Sequence, residues 1–333
     1  MKKIIAIVAG GDSSEHDVSM RSAGGILSFL DKSLFRPYII EIKGARWEAL
    51  TDQNRRASVD RNDFSFSDGG ARVHPDFAYV TIHGTPGENG ILQGYFDMLR
   101  LPYSTSGVLT EALTFNKFAL INYLKSFGVK AADSLLIDRR HVGLIKPADV
   151  LSRVGLPCFV KPNEGGSSFG ITKVKKESEL LPAIQKALRE GCAAMAETFM
   201  KGREVTVGCY KTRTKEVVFP VTEVVTNNEF FDYDAKYNGQ VTEITPAPLS
   251  ATLAQRLKAL TSAIYDILNC SGIIRADYIL TPAHDGPEHA AINLLEVNTT
   301  PGMTATSFIP QQARAAGMEM KDVLNDVILD KLN

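Results

Sequence analysis

Apolar runs and polar interruptions alternate from the first residues onward in a strand–helix rhythm. "IIAIVAGG" (4–11) is a β-branched run ending in glycines, the pattern of a parallel strand buried on both faces. "DSSE" (12–15) then offers a helix-capping pattern, and Val18, Ala23, Ile26, Leu27 and Leu30 follow at largely helical spacing. "YIIEI" (38–42) and "FAYVTIHG" (77–84) read as further strands. The stretch 45–75 is polar and weakly periodic, and is expected to be loop or irregular structure. Alternation of this kind through about residue 100 predicts a small α/β domain on a parallel sheet.

Beyond it, the spacing predicts one helix from Leu109 to Phe127 with Gly128 at its C-terminal end. "CFVKP" (158–162), "ITKV" (171–174) and "AMAETFM" (194–200) are short strands, separated by a glycine loop and the helix "ESELLPAIQKALREG" (177–191). "REVTVGCY" (203–210) and "EVVFPVTEVV" (216–225) alternate like antiparallel strands. A helix over 251–269 leads into the strands "GIIRADYILT" (272–281) and "AINLLEVN" (291–298), and the tail from Ile309 reads as two short helices. The pattern divides the chain into an N-terminal α/β domain (1–105), a small central α+β domain (106–195) and a larger C-terminal α+β domain (196–333).

Length fits that division, since 333 residues suggest roughly two to three domains. Hydrophobic content of 44% and charged content of 23% are those of an ordinary soluble globular protein. A net charge of −1 supplies no global basic field, so neither nucleic acid nor an anionic membrane is an expected partner. Anion binding must come from local lysines and backbone N–H groups. Cys158, Cys192, Cys209 and Cys270 are widely spaced without a Cys-x-x-Cys pair, and read as reduced residues outside any zinc or disulfide framework. The N-terminal apolar run is too short to span a membrane and lacks a small-residue cleavage site; the protein reads as cytoplasmic.

The sharpest candidate chemistry lies in the C-terminal strands. "RAD" puts Arg275 and Asp277 on one strand face, and "LLEVN" does the same for Glu296 and Asn298. If the strands are neighbours, three oxygen ligands converge beside a guanidinium, a donor set suited to Mg²⁺ with nucleotide phosphates. Taken alone, the same pattern fits two amphipathic strands with solvated polar faces. "TTPGMTATS" follows, where a Pro-Gly turn frees N–H groups and Ser307 adds a hydroxyl for an oxyanion or carboxylate.

Lys117, Lys161 and Lys236 are candidate phosphate partners, although each singly reads as a surface lysine. In "ETFMKGRE", Glu197 and Glu204 flank a candidate adenine-reading hinge, or are solvated strand ends. Glu15, near the expected C-terminal edge of the sheet, is either a ligand residue or a helix-capping partner; His83 is either functional or turn-stabilising. "KPNEGGSSFG" (161–170) has the glycines and hydroxyls of a phosphate loop, but its lysine precedes the glycines. "GGDSSE" is likewise a poor dinucleotide fingerprint, which argues against a dehydrogenase.

Taken together, "AGGDSSEHDVS", "HGTPGENGILQG", "LPYSTSGV", "FVKPNEGGSSFGI", "FMKGREVTVG", "FDYDAKY", "GIIRADYIL" and "LLEVNTTPGMTATSFIP" resemble, in order and approximate spacing, the motifs of the ATP-grasp enzymes and, within them, the D-alanine–D-alanine ligases. The resemblance runs almost end to end. It implies an α/β ATP-grasp fold of three domains: a pre-ATP-grasp domain and two α+β subdomains clasping ATP between antiparallel sheets, with a glycine lid loop on the central one. It implies ligation of two molecules of D-alanine through a D-alanyl phosphate, two Mg²⁺ (or Mn²⁺) ions and a homodimer.

Position by position, the resemblance implies that Lys117, Lys161 and Lys236 hold phosphates. Glu197 with the hinge at Phe199 and Met200 would take adenine, and Glu204 the ribose. Asp277, Glu296 and Asn298 would bind metal. Glu15 would hold the first ammonium, linked to Ser167 and Tyr237. Arg275 and the Gly302 N–H would stabilise the tetrahedral oxyanion, and Ser307 with Gly302 would hold the second carboxylate. Tyr237 favours an amide product over the D-lactate ester. The alternatives are another ATP-grasp ligase of different second-substrate preference and a catalytically silent nucleotide-binding scaffold.

Overall fold

The computed structural model describes residues 2–51, 55–166, 170–226, 241–284 and 286–332. The chain opens with β1 (Lys3–Gly10), α1 (His16–Phe29) and β2 (Phe35–Lys43), with β1 and β2 parallel in the register Lys3↔Phe35 to Gly10↔Ile42. Alternate β1 residues enter two different cores. Ile5, Ile7 and Ala9 pack in one with α1, and Ala6 and Val8 in the other with Tyr38 and Ile40. Burial on both faces is what the unbroken apolar run anticipates, and it fixes the register, because a one-residue slip would exchange the two sets.

The stretch expected to be irregular is in fact built of short strands: β3 (Arg46–Leu50), β4 (Arg56–Ser58), β5 (Phe66–Asp68) and β6 (Ala71–Val73). β3 and β4 extend the sheet antiparallel from β2, and β5 pairs with β6 as a separate hairpin. Their three- to five-residue lengths leave too few alternations to register as a period. β7 (Phe77–Val80) completes the sheet parallel to β1, ending earlier than the run to Gly84 suggests. α2 (Ile91–Leu99) follows, and buries Leu92 and Phe96 on the second core.

The single helix expected over 109–127 is two, α3 (Val108–Phe115) and α4 (Lys117–Lys125). Asn116 separates them with an extended backbone, and its side chain accepts from Ala119 N as the cap of α4. The central sheet comprises β8 (Ser134–Asp138), β9 (Cys158–Pro162), β10 (Thr172–Val174) and β11 (Ala193–Thr198), antiparallel in the order β10-β9-β11-β8. β8 and α5 (Pro147–Val154) carry no clear sequence signal; α6 (Leu180–Glu190) carries a strong one, and both helices cover the same face of the sheet.

In the C-terminal part, β12 (Arg203–Lys211) pairs with β13 (Glu216–Val218) and β14 (Thr222–Thr226). The run read as one strand over 216–225 is thus broken at Phe219-Pro220, where Pro220 has no N–H to continue a ladder. β15 (Val241–Ile244), α7 (Ala251–Ile267), β16 (Gly272–Thr281) and β17 (Ala291–Asn298) complete an antiparallel sheet ordered β15-β14-β12-β16-β17. α4 and α7 share its core through Leu120, Leu124, Leu257 and Ile264. The tail forms α8 (Phe308–Ala315) and α9 (Met320–Leu332), which return to the core of β1 and α1 through Ile309, Val323 and Leu324. No helix among the described residues is long and apolar enough to cross a membrane.

Candidate active site

Two adjoining cavities open where these sheets meet. The larger, about 910 Å³, is bordered by Phe159, Lys161, Glu197, Phe199, Met200 and Glu204. The smaller, about 310 Å³, is bordered by Glu15, His83, Glu88, Asn298, Gly302 and Ser307. Lys117, Gly166, Arg275 and Glu296 line both.

In the larger cavity, Lys161 on β9 and Glu197 on β11 form a buried ion pair, Nζ to Oε1 2.7 Å. Glu197 Oε2 is buried without a hydrogen-bond partner among the described residues, an acceptor available to a ligand amino group. Beyond it, Phe159 and Phe199 meet edge to face at 5.8 Å, and Lys173 Nζ sits 4.0 Å from the Phe199 ring centroid. The result is an apolar slot with one unsatisfied acceptor, suited to a purine. Glu204 lines the same cavity from β12.

Strand register assembles the polar wall. On β16 and β17, Arg275 pairs with Asn298 and Asp277 with Glu296, and β12 places Thr206 opposite Asp277. Arg275 makes a bidentate pair with Asp277, Nε–Oδ1 2.9 Å and Nη2–Oδ2 2.8 Å, and Thr206 Oγ1 donates to Asp277 Oδ1 at 2.5 Å. Glu296 lies 3.9 Å from Arg275 Nη2 and 3.8 Å from Lys117 Nζ. Burial works against the Arg275 charge, but Asp277 and then Glu296 raise its pKa further, so the guanidinium is permanently cationic. Asn298 Oδ1 accepts from Thr300 N at 3.0 Å and anchors the turn into Pro301-Gly302.

Lys117 is the first residue of α4. Burial lowers its pKa, an effect that Glu296 opposes. The start of α4 is latched to the glycine loop: Lys117 N donates to Asn163 O, Phe118 N to Asn163 Oδ1, and Lys117 Nζ to Gly165 O at 2.5 Å. The same loop reaches the N-terminal domain, where a Cβ on Gly166 would stand 2.8 Å from a Glu15 carboxylate oxygen. A side chain there would displace the carboxylate, so glycine is what lets the loop and Glu15 meet as they stand.

Glu15 occupies the N-cap position of α1 without a side-chain capping bond, so the capping role open to it in "DSSE" is not used. Ser13 Oγ donates instead to His83 O. Glu88, unremarked in sequence, faces the same cavity; burial, and then the Glu15 charge, push its carboxyl up to about 8. Gly84 N donates to Glu88 Oε2 at 2.6 Å. His83 is buried, 3.5 Å from Ser22 Oγ through Nε2 and 4.0 Å from Glu88 through Nδ1. Gly302 and Ser307 lie together, since a Cβ on Gly302 would meet Ser307 Oγ at 3.0 Å.

Thus Glu15, Lys117, Arg275, Asp277, Glu296, Asn298, Gly302 and Ser307 converge, as do Lys161, Glu197, Phe199, Met200 and Glu204. Ser167, Lys236 and Tyr237 lie outside the described residues. Sequence reasoning missed Glu88, Thr206 and the fully buried Glu111, whose carboxylate accepts from Ser106 N and Thr299 Oγ1. Only the neighbouring His83 could have pointed to Glu88; nothing local marks the other two. Among the described residues no three His, Cys, Asp or Glu side chains gather as a metal cluster. The fitting donor set is two carboxylates, Asp277 and Glu296, with the Asn298 carboxamide, all hard oxygens suited to a divalent cation.

The model of the D-ala D-ala ligase N-terminus matches residues 4–106, and that of the D-ala D-ala ligase C-terminus matches residues 123–329. The chain belongs to the D-alanine–D-alanine ligase family. A D-alanine–D-alanine ligase from Bacteroides fragilis is 61% identical over 99% of this chain and 100% of that protein. The one from Porphyromonas gingivalis W83 is 51% identical over 100% of this chain and 98% of that protein. Among solved structures, the VanG D-Ala:D-Ser ligase from Enterococcus faecalis superposes with a TM-score of 0.86 at 28% identity, covering 98% of this chain and 99% of that one. D-alanyl-alanine synthetase A from Vibrio cholerae gives 0.86 at 26% identity, covering 99% of this chain and 98% of that one. The ligase family thus accounts for the arrangement of the three larger sheets, which is the α/β ATP-grasp fold.

Proposed function

We propose that this member of the ligase family joins two D-alanine molecules into D-alanyl-D-alanine with cleavage of ATP to ADP and phosphate, supplying a peptidoglycan precursor. The observation that carries the reading is the shared wall. Lys117, Arg275 and Glu296 border both the larger cavity, which contains the purine slot, and the small polar cavity, so a γ-phosphate and an amino-acid carboxylate would meet there. The first D-alanine carboxylate oxygen attacks the γ-phosphorus and ADP leaves. The amine of the second attacks the acyl carbon, loses a proton, and phosphate departs from the tetrahedral intermediate.

The residues divide this work by position. Glu197, Phe199 and Met200 hold adenine, Glu204 the ribose, and Lys117, Lys161 and Lys236 the phosphates. Glu15 receives the first ammonium, a role in which the family resemblance links it to Ser167 and Tyr237. Arg275 and the Gly302 N–H face the developing oxyanion, and Ser307 with Gly302 takes the second carboxylate. Asp277, Glu296 and Asn298 would hold two Mg²⁺ or Mn²⁺ ions, whose charge, when bound, offsets that of the phosphates. No side chain needs to act as nucleophile; positioning and preorganised donors suffice. Residues 1–105, 106–195 and 196–333 serve as the pre-ATP-grasp and two clasping domains of a cytoplasmic homodimer.

The test is direct. With ATP, Mg²⁺ and D-alanine, phosphate release should match D-alanyl-D-alanine formed. Adding D-lactate near neutral pH should yield no ester, as Tyr237 implies. Folded protein without D-alanine-dependent phosphate release would contradict the reading.

A further inference from the structure

Three cationic side chains other than histidine line the smaller cavity, and two are committed. Lys117 faces Glu296 at 3.8 Å, and Arg275 is held by Asp277 at 2.8 Å. The third, Arg21, is exposed and makes no ion pair among the described residues. Its place is set by α1. Val18, Arg21, Ser22 and Gly25 fall on one helical face, and that face is seated on the loop after β17. Met303 N donates to Ser22 Oγ at 3.3 Å, and a Cβ on Gly25 would lie 2.0 Å from Met303 O. Arg21 therefore borders the same cavity as Gly302, Thr304, Thr306 and Ser307.

Charge is arranged along this helix. The loop from Thr299 to Ser307 offers hydroxyls and amide N–H groups with Arg21 beside them and has no carboxylate of its own. The acid next to it is Glu243, which also lines the cavity and accepts from Gln311 Nε2, a donor in turn to Thr306 O. The carboxylate on α1 that lines the cavity is Glu15, six residues before Arg21 and so about 9 Å away along the helix axis. Glu88 faces the same cavity on the Glu15 side, where burial and then the Glu15 charge raise its carboxyl. A zwitterionic amino acid entering this cavity meets the Glu15 carboxylate for its ammonium and, for its carboxylate, the Arg21 guanidinium, which has no ion pair among the described residues.

We propose that Arg21 is a substrate-binding residue that recruits the carboxylate of the second amino acid at the mouth of the smaller cavity. The proposal rests on the ligase reading above, and adds a full charge to a loop that otherwise offers only neutral donors. An exposed guanidinium–carboxylate contact gives a modest gain that salt screens.

Initial rates of phosphate release, measured against D-alanine at saturating ATP and Mg²⁺ and fitted with separate constants for the two sites, decide it. Arg21→Gln should raise the second-site KM by about fivefold, leaving the first-site KM and kcat unchanged. Arg21→Lys should recover most of the loss. Added KCl should raise the wild-type second-site KM toward the Arg21→Gln value while leaving that variant flat. A second-site KM within about twofold of wild type, or an equal change at both sites, would overturn the proposal. Thermal melting confirms that each variant is folded. A wild type without D-alanine-dependent phosphate release would instead remove the ligase reading, and the proposal with it.

Discussion

Lys161 Nζ lies 2.7 Å from Glu197 Oε1, with each side chain only 5% exposed, in the wall of the purine-sized slot. Buried pairs of this kind add little net stability, because desolvation offsets the attraction, but removing one partner strands the other charge. Lys161→Met should therefore cost about 3 kcal/mol in urea unfolding and raise the KM for ATP. Lys161→Met/Glu197→Met should recover most of the stability without recovering ATP affinity. A double variant as unstable as the single one would assign the cost to packing rather than to charge.

Glu296 occupies a different situation. It faces two cations at 3.8 and 3.9 Å, with about a third of its side chain exposed to the cavity (30%). Glu296→Gln keeps the shape and removes the charge. Turnover should fall by at least about a hundredfold, since it loses an oxygen ligand to the divalent cation. The melting temperature should stay close to wild type. Electron paramagnetic resonance of bound Mn²⁺ gives a readout independent of turnover: affinity should fall in parallel. Near-normal Mn²⁺ binding would remove Glu296 from the metal set.

Long elements with a clean period were legible in the sequence: β1, α1, β12, α7, β16 and β17 lie where the pattern puts them. The strands between 45 and 75 were not, because each is only three to five residues long and is fixed by its hairpin neighbours and side-chain ties rather than by a period of its own. Arg72, for example, bridges Asp60 and Asp63. The continuous apolar spacing of 109–127 likewise hid the break at Asn116, whose polarity was the only local sign of a cap. Within the site, the one-face arrangement of Arg275 with Asp277 and of Glu296 with Asn298 follows from period two. Which residue faces which is a matter of register, settled only by the paired strands and the irregularity after Asp277. Glu88, Thr206 and Glu111 act through such tertiary neighbours, so nothing in their local sequence marks them.

Gly24 and Gly25 are adjacent in α1 yet should respond oppositely to alanine. A Cβ on Gly24 meets nothing within 4 Å, whereas one on Gly25 would lie 2.0 Å from the Met303 carbonyl oxygen. Gly24→Ala should stabilise the protein by about 0.5–1 kcal/mol through helix propensity. Gly25→Ala gains the same propensity but must displace the 301–304 backbone, so it should be net destabilising. It should also raise the second-site KM for D-alanine, which Gly24→Ala leaves alone. Paired urea titrations and two-site kinetics check this, and equal behaviour of the two variants would show that α1 does not press on that loop.

Glu88 gives the protein a pH signature. Burial, then the Glu15 charge, raises its carboxyl from 4.5 to about 8 in the folded state. Between those values the folded protein keeps a proton that the unfolded chain releases. The stability contributed by this group is therefore fully present below about pH 4.5 and is lost as pH rises through about 8. Glu88→Gln stays neutral throughout and can still accept from Gly84 N. Without nucleotide, its advantage over wild type should be near zero at the acid end and grow to about 2 kcal/mol or more on the alkaline side. Urea midpoints across that range measure it directly. A difference independent of pH would mean that Glu88 is ionised throughout, with its charge balanced by Lys117.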